Sequence, residues 1–236
     1  MKAIRVYTNV EELIDVENNI DNYTTSRFFG IPYFEEGFAW PVDYKNRSLH
    51  FICQINLKEI ESNLYEDLLP KEGILQFFFS GNFNQYCIKY IKPEYKYIKN
   101  FEKYKLEYLE FFNNKDYKMD FNGMIALECG IDIEDQDIFQ NIVRLQSTPI
   151  KFSEIDINHT EFSYDVPEYA YIGGIPNMYW SGNEDMNDNN FCLLRLCQIA
   201  EPFENLTNDF TTTSFLIEKE DLKKLNFTNM RVWVER

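Results

Sequence analysis

The chain has 236 residues, 44% hydrophobic and 26% charged, so it is long enough to bury a sizeable core and fits neither a disordered nor a membrane composition. Thirty-nine acidic against 23 basic residues leave a net charge of -16. That balance argues against nucleic acid, whose phosphates call for clustered Lys and Arg, and against an anionic membrane surface. It suits either solubility alone or the steering of a basic partner protein.

In chain order, Met1-Lys2-Ala3-Ile4-Arg5-Val6 lacks the apolar stretch of a signal peptide, and no apolar run approaches the roughly 20 residues of a bilayer span; a cytoplasmic location is expected. Thr8 and Glu11 form a capping box ahead of Val10, Leu13, Val16 and Ile20, which predicts a helix over about 9 to 20. Thr24-Thr25-Ser26 breaks that pattern, and Gly30-Ile31-Pro32 opens a packed loop that runs to Trp40-Pro41. Strands are predicted from Leu49 to Ile55, Ile74 to Phe79 and Tyr86 to Ile91, the last two as a hairpin, with a short helix starting at Asn56-Leu57.

Residues 93 to 118 interleave Lys, Glu, Tyr and Phe, which reads as a solvated strand face or helix with snorkelling stems. A strand is expected from Met124 to Cys129. Asp132, Glu134, Asp135 and Asp137 then make an acidic patch on a loop or helix start. The later loop with Glu184, Asp185 and Asp188 is rich in carboxylates but lacks the central Gly and terminal Glu of a helix-loop-helix calcium site. A short helix from Glu220 and a strand from Met230 to Val234 complete the chain.

Two tripeptides recur at one offset. Gly30-Ile31-Pro32 returns as Gly174-Ile175-Pro176 and Cys53-Gln54-Ile55 as Cys197-Gln198-Ile199, both 144 residues later, while Gln76-Phe77-Phe78 resembles Ser214-Phe215-Leu216 at 138. The pattern predicts an internal duplication of a loop-strand-strand unit within one domain over 1-236, with repeats at about 24-91 and 166-236 and a middle segment at about 92-165.

The stretch Ser26 to Tyr33, followed by Trp40-Pro41, the Cys-Gln-Ile-Asn-Leu core of 53 to 57 and Leu69 to Phe78, resembles the YwqG-like family of bacterial domains of unknown function. Gly173-Gly174-Ile175-Pro176, Leu193 to Ile199, Phe215 to Leu222 and Phe227 to Val234 match its second half. Phe29 departs from the pattern, standing where members commonly carry another Gly. The resemblance implies an α+β fold of mixed or mostly antiparallel sheets with short helices in two related lobes. It also implies an association with secreted toxins and their cytosolic antidotes.

No catalytic constellation stands out. His50 and His159 lack ligand partners at a metal-binding spacing, and there is no phosphate-cradling glycine loop or nucleophile elbow, so neither metal nor cofactor is expected. The five cysteines are odd in number and sit mostly in apolar runs, as reduced buried thiols do. Gln54 and Gln198, buried at matching points of two repeats, need hydrogen-bond partners; they serve either to fix the Gly-x-Pro loops or, with Tyr33, Trp40 and Trp180, to line a small-molecule pocket. Two functional readings follow. One is an acidic protein-binding module, of the immunity type, whose carboxylates at 132 to 137 and 184 to 188 meet a basic partner such as a cognate toxin. The other is an enzyme or ligand binder using a cleft between the repeats.

Overall fold

The structure, a computed structural model, describes residues 2–8, 20–28, 32–35, 37–46, 49–79, 85–92, 147–156, 170–174, 189–197 and 212–235. The predicted helix over about 9 to 20, apart from Ile20, which begins a 3-10 turn, the 93 to 118 segment, the strand at 124 to 129 and His159 lie outside them. The chain divides into two compact units. The first comprises Met1–Val10, Leu57–Lys71 and Ile150–Arg236, and the second Glu11–Asn56 and Glu72–Pro149.

In the first unit, β1 (Lys2–Thr8), β6 (Thr148–Asp156, from Ile150 onward), β7 (Ala170–Gly173), β8 (Asn190–Cys197), β9 (Thr212–Glu218) and β10 (Arg231–Glu235) pair antiparallel in the order β10-β9-β8-β7-β1-β6. Ala3, Tyr171, Cys192 and Leu216 close a core against which Ile155 and Trp233 pack. One α-helix, α1 (Lys219–Lys223), follows β9 directly. Five residues are too few to hold a helix by backbone bonds alone, so burial of Leu222 and the acidic Glu220 and Asp221 in its first turn sustain it. It ends where Asn226 N–H returns to the Asp221 carbonyl at 2.9 Å.

The described part of the second unit comprises a 3-10 turn, η1 (Ile20–Thr24), then β2 (Arg27–Phe28), β3 (His50–Asn56), β4 (Ile74–Phe79) and β5 (Tyr86–Ile91), again antiparallel. β4 is apolar on both faces, with Ile74, Leu75, Phe77 and Phe78 all buried, as a strand covered on two sides must be. Its only polar residue, Gln76, is equally buried. A second 3-10 turn, η2 (Leu57–Glu59), carries the chain from β3 into the first unit.

These findings correct the expected α+β class. Among the described residues the protein is mostly antiparallel β, with one α-helix of five residues. The physical reason is compositional: the abundant Phe and Tyr and the period-2 runs favour pleated, half-buried surfaces, and the apolar stretches stop before a helix can pass its costly nucleus. Strands β1, β6 and β7, and the short strand Arg27–Phe28, were not expected from the sequence. Among the described residues no helix is long and apolar enough to cross a membrane.

The register also revises the repeat offset. A bulge isolates Ile52 on β3 and Leu193 on β8, an offset of 141 (193 - 52), while β4 and β9 correspond at 138 (214 - 76). Gln54 therefore occupies the place of Arg195, not of Gln198: Gln54 faces Gln76, and Arg195 faces Ser214.

Two tyrosine rings occupy the space where a glycine's Cβ would stand, Tyr90 at Gly73 and Tyr65 at Gly173. Gly73 (φ +109) would place a Cβ 2.5 Å from the Tyr90 ring, whose hydroxyl donates to the Glu72 carbonyl at 3.2 Å. Gly73→Ala combines a left-handed backbone with this overlap and is expected to cost about 2 to 4 kcal/mol, read from the urea midpoint. A loss below about 0.5 kcal/mol would show that the ring yields freely.

Candidate functional site

The densest buried polar cluster among the described residues belongs to the second unit. Register aligns Arg27 of β2 with Gln54 of β3 and Gln54 with Gln76 of β4, so three polar side chains stand in a row on one sheet face. All three are fully buried. Such groups persist in an interior only if each finds partners.

Arg27 finds them in the turn that precedes it. Its Nη1 donates to the carbonyls of Asn22 at 3.2 Å, Tyr23 at 2.9 Å and Thr25 at 3.0 Å, and its guanidinium carbon lies 5.9 Å from the centre of the Tyr23 ring. Carbonyl dipoles and an aromatic face thus solvate the buried charge. Gln54 Nε2 spends both hydrogens nearby, on Tyr23 O at 3.0 Å and Thr25 O at 2.9 Å, while Gln54 Oε1 accepts the Tyr33 N–H at 2.8 Å. Gln76 Nε2 donates to the Tyr33 carbonyl. Both backbone groups of Tyr33 are therefore held by side-chain amides where a neighbouring strand would otherwise hold them.

Further bonds tighten the arrangement. Phe34 N–H donates to the Tyr23 hydroxyl at 3.1 Å, Asn56 N–H to Ser26 Oγ at 2.8 Å, and the Tyr33 hydroxyl to Glu35 Oε1 at 3.2 Å. Tyr33, Tyr23, Phe34, Phe38 and Trp40 form an unbroken series of tilted and edge-on ring contacts, with centroids 5.2 to 6.1 Å apart, that ends edge-on against Phe78 at 5.5 Å. Trp40 Nε1 donates to Leu49 O at 2.8 Å. Lys89 lies 3.8 Å from the Phe38 centroid and donates to Ala39 O; burial lowers its pKa, with Cys87 opposing. Beyond Trp40 the loop turns outward, leaving Val42 and Tyr44 exposed at 50% and 76%.

Of the five pocket candidates, the structure brings Tyr33 and Gln54 into direct contact and joins Trp40 to them through rings. Trp180 and Gln198 lie outside the described residues, as do Asp132, Glu134, Asp135, Asp137, Glu184, Asp185 and Asp188. Sequence reasoning missed Arg27 and Gln76. The signal for Gln76 was present: an amide inside Ile-Leu-Gln-Phe-Phe-Phe must sit opposite another polar group once the hairpin register is set.

Chemically the cluster is a clamp. Burial pushes the thiol of Cys53, next to Gln54 on β3, well above its ordinary 9.0, and in the first unit it pushes the Cys192 thiol up to about 12 despite Arg195, so neither is an activated nucleophile. Cys87 is raised by burial and pulled back by Lys89. Among the described residues no group of three His, Cys, Asp or Glu could hold a metal ion.

The fold and clamp together define an antiparallel β protein in which buried Arg27, Gln54 and Gln76 hold the turn at 22–25 and the backbone of Tyr33. The chain belongs to the family described as Domain of unknown function (DUF1963), whose model matches residues 26–235, from Ser26 beside the clamp to Glu235 in β10. Comparison with curated proteins gives no match.

Replacing Gln54 by Leu keeps the volume but strands the Tyr33 N–H and removes one donor each from Tyr23 O and Thr25 O; the expected loss is about 3 kcal/mol by urea unfolding. An unchanged midpoint would mean that the clamp carries no stability. The thiols set a pH dependence. Unfolded cysteine loses its proton near 9.0, whereas folded Cys192 keeps its own to about 12, so the contribution is complete below pH 9 and is lost as pH rises toward 12. Cys53 shifts the same way. The urea midpoint should fall between about pH 8 and pH 10.5 and fall less in Cys192→Ala; equal slopes in both proteins would contradict the assignment.

Proposed function

We propose that the chain is a YwqG-like, cytosolic protein-binding module that acts as an immunity-type antidote, occluding a basic partner such as a cognate toxin. The net charge of -16 carries this reading. A field of that sign attracts a cationic protein over several ångströms and raises the encounter rate before any contact forms. The interior supports it from the other side. Gln54 has no amide hydrogen left for a ligand, and Tyr33 has both backbone groups and its hydroxyl engaged. The carboxylates proposed to meet the partner are those of the two acidic stretches, Asp132, Glu134, Asp135, Asp137, Glu184, Asp185 and Asp188.

The test is association of the purified chain with the basic product of a neighbouring gene, followed by surface plasmon resonance at increasing NaCl. The association rate should fall about tenfold or more between about 50 and 500 mM salt, and the triple change Glu184→Gln, Asp185→Asn, Asp188→Asn should slow it further at low salt. Absence of binding, or an association rate indifferent to salt, would remove the proposal.

A further inference from the structure

We infer that the strip Phe38, Trp40, Val42 and Tyr44 of the second unit, flanked by Lys45 and Lys89, is a docking surface for a partner-protein segment that carries apolar side chains between carboxylates. The inference is independent of the basic partner proposed above, since such a segment can belong to a protein of either net charge.

Alternation builds the strip. Phe38 and Trp40 are half-buried and meet edge-on, and from Pro41 onward burial alternates: Pro41 and Asp43 lie inside, Val42 and Tyr44 outside. Among the described residues, Val42 and Tyr44 are the large hydrophobic side chains that stand exposed. Scattered singly, such side chains would need no explanation, but two on one turn, continuous with two further rings, make a patch.

The turn is set before any partner arrives. Tyr44 N–H donates to Gln85 Oε1 at 2.9 Å, Lys45 N–H to Asp43 Oδ1 at 2.8 Å, Asn46 N–H to the Asp43 carbonyl at 3.0 Å and Leu49 N–H to the Pro41 carbonyl at 2.9 Å. Asn46 closes it in the left-handed region at φ +58, which asparagine tolerates. An aromatic held in place in this way spends little entropy on association, and buried tyrosine and tryptophan are the dominant anchors of protein interfaces.

Charge selects the partner. Within 37–46 and 85–89 the charged residues are Asp43, Lys45 and Lys89, while Glu35, ahead of the strip, accepts the Tyr33 hydroxyl. The Asp43 carboxylate is buried and caps the turn. Both ammoniums stand beside the strip, Lys45 Nζ at 5.4 Å from the Tyr44 centroid and Lys89 Nζ at 3.8 Å from that of Phe38. The strip is thus cationic at both ends in a chain of net charge -16. Lys89 is also partly desolvated, so a carboxylate brought to it gains more than at a fully wetted lysine. A segment alternating acidic and apolar residues meets both demands, its apolar side chains on the rings and its carboxylates on the two ammoniums, and the same charges turn a basic segment away.

The probe is a fluorescein-labelled peptide, Glu-Leu-Asp-Phe-Glu-Asp, titrated with the full chain and followed by fluorescence anisotropy. It should bind with a dissociation constant below about 1 mM, and the same peptide with Ser in place of Leu and Phe should bind about fivefold more weakly or worse. Tyr44→Ala and Lys45→Glu should each weaken the Leu-Phe peptide about fivefold or more while leaving the urea midpoint unchanged, since both side chains are exposed. Should either variant fail to fold, Val42→Ser reads the same loss from the neighbouring exposed position. Absence of binding at about 1 mM, equal binding of the Ser peptide, or variants that bind as the wild type does would each overturn the inference.

Discussion

The second unit depends on one constraint: the backbone of Tyr33 is buried without a strand beside it. A buried N–H and C=O must be paired, and Gln54 and Gln76, adjacent across β3 and β4, supply the missing acceptor and donor. Loop and sheet become mutually dependent as a result. Gln54 also holds Tyr23 and Thr25, and Arg27 holds the same turn, so the turn, the loop and three strands share one network. The ring series from Tyr33 to Trp40 extends that rigidity to the edge where Val42 and Tyr44 face solvent.

The first unit carries a buried row in the same registers, made of different residues. At the positions corresponding to Arg27, Gln54 and Gln76 in the strand registers stand Tyr171, Arg195 and Ser214, all buried. A guanidinium occurs in both rows, on β2 in one and on β8 in the other, and each lies about 6 Å from a tyrosine ring, at 5.9 Å for Arg27 and 5.8 Å for Arg195. The cation stands in the first position of one row and in the second of the other.

Much of this was legible in the sequence. The strands at 74–79 and 86–91 match the expected boundaries, β3 and β10 are within a residue or so of theirs, and the structural use of Gln54 follows from the need to satisfy a buried amide. Other features were hidden for identifiable reasons. The Cys-Gln-Ile match at 144 drew attention from the bulges, because identical letters outweigh a register that only pairing reveals. β1, β2, β6 and β7 are not marked: Lys2–Thr8 mixes charged and apolar residues and runs into the capping pattern at Thr8, β2 is only two residues and β7 four, and Pro149 obscures the start of β6. Tyr65 gave no signal at all, since nothing local marks a side chain whose partners are 63 and 109 residues away.

The tyrosine-covered glycines have a consequence for how this sequence drifts. At Gly73 with Tyr90, and at Gly173 with Tyr65, replacing the glycine first produces steric overlap, whereas shortening the tyrosine first leaves only a void. The two substitutions are therefore unequal as opening steps, and the route through the aromatic partner is the passable one. Relatives that carry a side chain at either glycine should already have lost the ring above it, which makes each pair a directional record of descent.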